Sequence, residues 1–109
     1  MPINKLKRQK MLDFYLIDDL QAKPNYPDPK DLKFVGGLDN QTFKRLKDKK
    51  IIADRFDYYS DFRWDTTLIK QISKTIHQKQ LQSDTDVKQL LSLLEAAEKN
   101  KNGLIAYGD

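Results

Sequence analysis

Four aspartates, Asp54, Asp57, Asp61 and Asp65, recur at three- and four-residue intervals in and just before the stretch RFDYYSDFRWD (Arg55–Asp65). Carboxylates spaced this closely could hold a hard cation, because magnesium and calcium take oxygen ligands. The pattern lacks both the central glycine and the closing glutamate of a calcium loop. Solvent-facing charge and helix capping are therefore the better assignment, and no metal site is expected. Nucleophilic catalysis is equally poorly provided for. The chain has no cysteine and one histidine, His77. A histidine-based dyad needs a nucleophile held against the ring, and the sequence marks none. Four glycines, two of them the pair Gly36–Gly37, make no phosphate-cradling loop. No catalytic residue and no cofactor is nominated, and the chain reads as a non-enzyme.

The aromatic residues between those aspartates carry more information. Of eleven Phe, Tyr and Trp residues, five lie between Phe56 and Trp64. Phe56, Phe62 and Trp64 are read as core, since rings of this size bury large areas. Asp57, Tyr58, Tyr59, Asp61 and Arg63 are nominated as a partner-binding patch. Tyrosine and arginine mixed with carboxylates match the composition of binding hot spots on proteins. The local charge points the same way. The chain carries a net charge of +4 with a pI near 9.2, yet residues 51–66 hold Arg55 and Arg63 against four aspartates. An acidic island of this kind complements a basic protein and speeds its capture. It does not suit stacking on nucleic-acid bases, whose platforms sit in positive grooves.

The elements that must position this patch are read mainly as helices. Leu12, Tyr15, Leu16 and Leu20 have helical spacing and predict a first helix, although the alternation Leu12, Phe14, Leu16 would also suit a strand. KPNYPDPKD (Lys23–Asp31) reads as an ordered or semi-rigid loop, and Gly36–Gly37 as a second break. Asp39 caps a second helix reaching about Ile51, with Leu38 stapled to Phe43. Asp65 caps a third, with Trp64 stapled to Ile69 and a stripe of Leu68, Ile69, Ile72 and Ile76. A fourth starts at Ser83–Asp84, buries Val87, Leu90, Leu91, Leu94 and Ala97, and stops at Asn102–Gly103. Leu104–Tyr107 reads as a short strand or extended tail. The aromatic segment alternates with the period of a strand, and Trp64 as a staple before Asp65 favours an extended or loop entry. The expected fold is mostly α: about four helices in a single domain, residues 1–109, with an extended aromatic segment and a short C-terminal strand. An α+β arrangement is the alternative.

Composition adds the setting. One domain is expected at this length. A mean hydropathy of −0.76 and 33% charged residues describe a soluble chain. No apolar run approaches the roughly 20 residues that cross a bilayer. The first residues are basic, but Asp13, Asp18 and Asp19 interrupt the apolar stretch a signal peptide needs. A cytoplasmic protein is expected, in agreement with the missing cysteines.

The motifs FDYYSDFRW (Phe56–Trp64) and GLIAYGD (Gly103–Asp109) resemble those of small bacterial immunity proteins of polymorphic toxin and contact-dependent secretion systems. That resemblance implies a compact cytosolic inhibitor that binds one cognate protein toxin and covers its active site. Many such toxins are nucleases with basic clefts, for which an acidic patch could stand in for phosphate. The competing reading is a small nucleic-acid-binding or regulatory domain that uses the basic clusters KLKRQK (Lys5–Lys10) and KRLKDKK (Lys44–Lys50).

Overall fold

Strand β1, Leu12–Ile17, buries Leu12, Phe14 and Leu16 on one face and turns Asp13 and Tyr15 to the other. The computed structural model describes residues 11–22 and 32–108. The loop expected at Lys23–Asp31 and the basic cluster Lys5–Lys10 lie outside these residues. Within them the order is β1, β2 (Lys33–Leu38), α1 (Asn40–Asp48), β3 (Phe62–Trp64), α2 (Thr66–Gln78), α3 (Thr85–Lys99) and β4 (Gly103–Tyr107). The strands form one antiparallel sheet in the order β2-β1-β4-β3.

This corrects the mostly α expectation. The fold is α+β, and the first predicted helix is the central strand β1. Its apolar residues satisfy both periods, so packing decides between them. As a strand the segment pairs with β2 on one side and β4 on the other, and it buries alternate residues against helices. A lone helix could not gain both ladders. Gly36–Gly37, read as a break, lies inside β2. Val35 is the extra residue of a β-bulge opposite Phe14 and Tyr15, and Gly36 takes φ +152°, a conformation that favours glycine. Leu93 of α3 fills the space where a Cβ would stand, 2.8 Å away. The bulge and Lys33 blunt one edge of the sheet, and three-residue β3 forms the other, so neither offers a long template for foreign pairing.

The C-terminal strand is as expected in place but central in role. All five residues of β4 are buried, between β1 and β3. Gly103 is required by close approach: a Cβ would stand 2.5 Å from the Trp64 carbonyl oxygen and 3.1 Å from Asp19 Oδ1.

The three helices cover one face of the sheet, and their starts follow the sequence. Asp39 accepts from the Thr42 amide at 2.7 Å, Asp65 from Leu68 at 2.8 Å, and Asp84 from Asp86 and Val87 at 2.9 and 3.1 Å. Ile69, Ile72 and Ile76 of α2 are buried as predicted; Leu68 is half-exposed. In α3 the buried face includes Leu93, while Leu91 is only partly covered. One core joins Phe14, Trp64, Leu104 and Ala106 of the sheet to Phe43, Leu46, Ile69, Ile76, Leu90 and Leu94 of the helices. On the opposite face Ile17, Leu32, Ile105 and Tyr107 form a smaller cluster with Tyr15 against it. Among the described residues no helix is long and apolar enough to cross a membrane.

Candidate functional site

The connection from α1 to β3, residues 49–61, carries four of the five nominated residues, with Arg63 in β3 itself, and is anchored from both ends. Ile51 and Ile52 are buried in the main core. Lys47 of α1 donates its ammonium to the Phe56 carbonyl at 2.8 Å while lying 5.5 Å from the centre of the Phe43 ring. Phe56 in turn packs on Phe62 and Trp64, with ring centres 5.0 and 5.9 Å apart. The rings assigned to core therefore form a continuous stack with Phe14 and Phe43.

Tyr58 and Tyr59 sit at the free side of this stack and differ sharply. Tyr58 is buried, packed on Phe43 with ring centres 5.9 Å apart. Tyr59 meets Tyr58 edge-on at 5.1 Å and remains 56% exposed. Its backbone is fixed by a turn in which Asp57 accepts from the Tyr59 amide at 3.2 Å and from the Ser60 hydroxyl at 3.3 Å. Its hydroxyl accepts from Asn40 Nδ2 at 3.3 Å. Tyr59 is thus an exposed ring held at its base, its edge and its tip.

Between α1 and this connection lies a cleft of about 320 Å³, lined by Asn40, Lys44, Lys47, Asp48, Asp54, Asp57, Tyr58 and Tyr59, with Phe43. Three of the five nominated residues, Asp57, Tyr58 and Tyr59, line it. The other two are engaged elsewhere. Asp61 accepts from the Gly108 amide at 3.1 Å. Arg63 donates to the carbonyls of Gln21 and Asp18 at 2.8 and 2.9 Å, clamping the turn after β1. It faces a separate hollow with Arg55, Phe56, Asp65, Thr67, Leu68 and Gln71. The alternation of β3 explains this division, because Phe62 and Trp64 face the helices and leave Arg63 on the other side.

Of these cleft residues, the sequence places Lys44, Lys47 and Asp48 in the basic cluster Lys44–Lys50 and Asp54 among the closely spaced aspartates, and it does not single out Asn40. The signal was present in their spacing: positions 40, 44 and 47–48 share one stripe of α1. Nothing local told that the stripe faces Tyr59. Asp19 was overlooked as well. Its carboxylate accepts from the Thr66 amide at 3.0 Å and the Thr66 hydroxyl at 2.6 Å, tying the end of β1 to the start of α2.

The basic cluster on α1 is largely occupied. Arg45 makes a two-pronged contact with Asp86 at 2.8 and 2.9 Å, and Lys49 reaches Asp84 at 2.7 Å and Asp86 at 3.1 Å. These bonds hold the Asp84 and Asp86 carboxyls below the usual aspartate range, for Asp84 first through Lys49 and for Asp86 first through Arg45. His77 is exposed on α2, its Nδ1 2.8 Å from the Ser73 carbonyl oxygen. Among the described residues no group of three or more histidine, cysteine, aspartate or glutamate side chains could hold a metal ion.

No protein-family model, curated protein or solved structure matches this chain.

Proposed function

We propose that this domain is a non-enzymatic cytoplasmic inhibitor of the immunity-protein kind, which binds and neutralises a cognate bacterial protein toxin by covering its active site. The observation that carries the reading is Tyr59: an exposed aromatic ring, immobilised by Asp57, Asn40 and Tyr58, at the mouth of a cleft with three carboxylates. Rigid rings of this kind bring contact area to an interface at small entropic cost. The surrounding carboxylates favour a basic partner such as the cleft of a nuclease. The two motifs behind the resemblance also form one structural unit, through the pairing of β3 with β4.

The nucleic-acid reading draws less support. Of its α1 cluster, Arg45 and Lys49 are paired with Asp84 and Asp86 and Lys47 is bonded to a carbonyl. Phosphate contacts would have to displace those bonds.

Affinity capture tests the choice. The tagged protein is used as bait in lysate of the cells that make it, with nuclease and at moderate salt, beside the Tyr59→Ala, Asp54→Lys variant. The inhibitor reading predicts one stoichiometric protein, retained by the parent and lost by the variant. Recovery of nucleic acid that disappears as salt rises, or equal capture by both baits, would overturn it.

A further inference from the structure

The cleft beside Tyr59 has a chemistry more specific than an acidic surface. We infer that it receives an arginine side chain of the partner, whose guanidinium lies against the Tyr59 ring and between the carboxylates of Asp54 and Asp57; this identification rests on the protein-binding reading above.

The charge inside the cleft is the first reason. Asp48, Asp54 and Asp57 line it with Lys44 and Lys47. The Lys47 ammonium is committed to the Phe56 carbonyl and the Phe43 ring. Among the described residues Asp54 has only an ion pair with Lys50 at 3.8 Å, between two largely exposed side chains, and such pairs contribute little. Asp57 accepts one bond at each oxygen from its own turn. Each carboxylate oxygen has further lone-pair capacity. A cation entering here would find acceptors that need not be freed first.

The ring is the second reason, and it separates arginine from lysine. Tyr59 meets Asn40 at its hydroxyl and Tyr58 at its edge, contacts that favour one orientation of its exposed ring. A flat, weakly hydrated guanidinium stacks on such a surface and still bonds carboxylates in its own plane; an ammonium is a compact, strongly hydrated charge with no plane to lay on the ring, and it does both less well. The molecule already uses both halves of this chemistry internally. Arg55 lies 4.6 Å from the centre of the Phe56 ring, and Arg45 grips Asp86 with two nitrogens. The volume of about 320 Å³ is at the lower limit of small-molecule sites. It suits an inserted side chain better than a cofactor.

Lys44 supplies an internal control. It lines the α1 wall and makes no ion pair among the described residues. Its positive charge opposes an incoming guanidinium, so Lys44→Gln should tighten binding while Asp54→Asn weakens it.

The test is an amide-resolved NMR titration of the full chain with the blocked peptide acetyl-Gly-Arg-Gly-amide at low salt. The citrulline peptide, the same shape without the charge, and the lysine peptide run alongside. Saturable shifts are expected at the Asn40 side-chain amide and the amides of residues 57–60. They should be weaker with lysine and absent with citrulline. Tyr59→Ala should weaken the arginine peptide about 2- to 5-fold, as expected for a ring and a cation at an exposed site. Tyr59→Phe, which keeps the ring, should bind nearly as the parent does, and dispersed spectra show that each variant is folded. Equal response to citrulline, or shifts centred on Asp84 and Asp86 instead, would overturn the inference. If the peptide leaves the cleft untouched while Tyr59→Ala, Asp54→Lys still loses the captured protein, the arginine assignment fails and the inhibitor reading stands. If the peptide binds the cleft but capture is indifferent to that variant, the inhibitor reading fails alone.

Discussion

The amide of Gly108 donates to Asp61 Oδ1 at 3.1 Å, joining the residue after β4 to the segment that mounts Tyr59. A Cβ at Gly108 would stand 2.6 Å from the Tyr58 carbonyl oxygen, 2.7 Å from the Tyr59 carbonyl carbon and 2.8 Å from the Ser60 amide. The backbone of one motif therefore lies directly on the backbone of the other.

Gly108→Ala tests that support. All three clashes are with backbone, which cannot swing aside as a side chain does, and overpacking of this kind costs about 1–3 kcal/mol. The melting temperature should fall by at least about 4 °C, and the amides of residues 58–60 should shift. An unchanged melting temperature with unmoved amides would show that the contact is slack.

How far this site could be read in advance varied by residue. The three helix caps at Asp39, Asp65 and Asp84 were legible because a cap is a local device: one carboxylate, two or three residues, one turn. The core role of Trp64 and the extended entry to α2 followed from the same local logic. Strand β1 was not legible, since Leu12, Phe14 and Leu16 fit both periods and the choice was made by β2 and β4, distant in sequence. Strand β2 was hidden by Gly36–Gly37, where a bulge looks like a break. Tyr58 and Tyr59 are adjacent and chemically alike, and only Phe43 and Asn40 on α1 decide which is buried and which presented.

Acid should unfold this domain through the bonds between α1 and α3. Asp84 and Asp86 are held below the ordinary carboxylate range by Lys49 and Arg45 respectively, and Asp39 by the Thr42 amide. A carboxylate with a lowered folded-state pKa stabilises the fold above its unfolded value, about 3.9, and loses that contribution as pH falls through the folded value. Stability should thus be nearly constant from pH 7 to 5 and decline below about pH 4. Asp86→Asn should lower stability at neutral pH and make the acid decline shallower, read by denaturant melts across pH. Parallel declines in both proteins would contradict the assignment.

Each helix ends with a residue other than glycine in the left-handed conformation: Lys50 at φ 63°, Gln80 at 58° and Lys101 at 56°. The following amides of Ile51, Leu81 and Asn102 bond back to Leu46, Ile76 and Ala97, so each is a Schellman stop. A side chain in this region costs about 1–2 kcal/mol, offset in part by the greater freedom that glycine loses on folding. Gln80→Gly should raise the melting temperature by about 2–6 °C, whereas Gln80→Val should lower it. A fall with Gln80→Gly would show that the Gln80 side chain contributes contacts that outweigh the strain.

Trp64 is fully buried and its Nε1 has no hydrogen-bond partner among the described residues. An orphaned buried donor costs about 1–3 kcal/mol, close to what the lost ring area would forfeit. Trp64→Phe should therefore change stability by less than about 1.5 kcal/mol, the range of well-tolerated apolar exchanges. A loss above about 3 kcal/mol, the cost of large-to-small core changes, would mean that the indole edge is packed too closely to spare.

The central claim is that the partner meets the protein at Tyr59, and site-specific photo-crosslinking tests it most directly. A benzoylphenylalanine placed at position 59 keeps a ring there, and the same group at His77, exposed on α2 and outside the cleft, serves as control. Irradiation in lysate of the cells that make the protein should join position 59, and not position 77, to the same single protein recovered by affinity capture. Crosslinks from position 77 to that protein with none from position 59 would contradict the account.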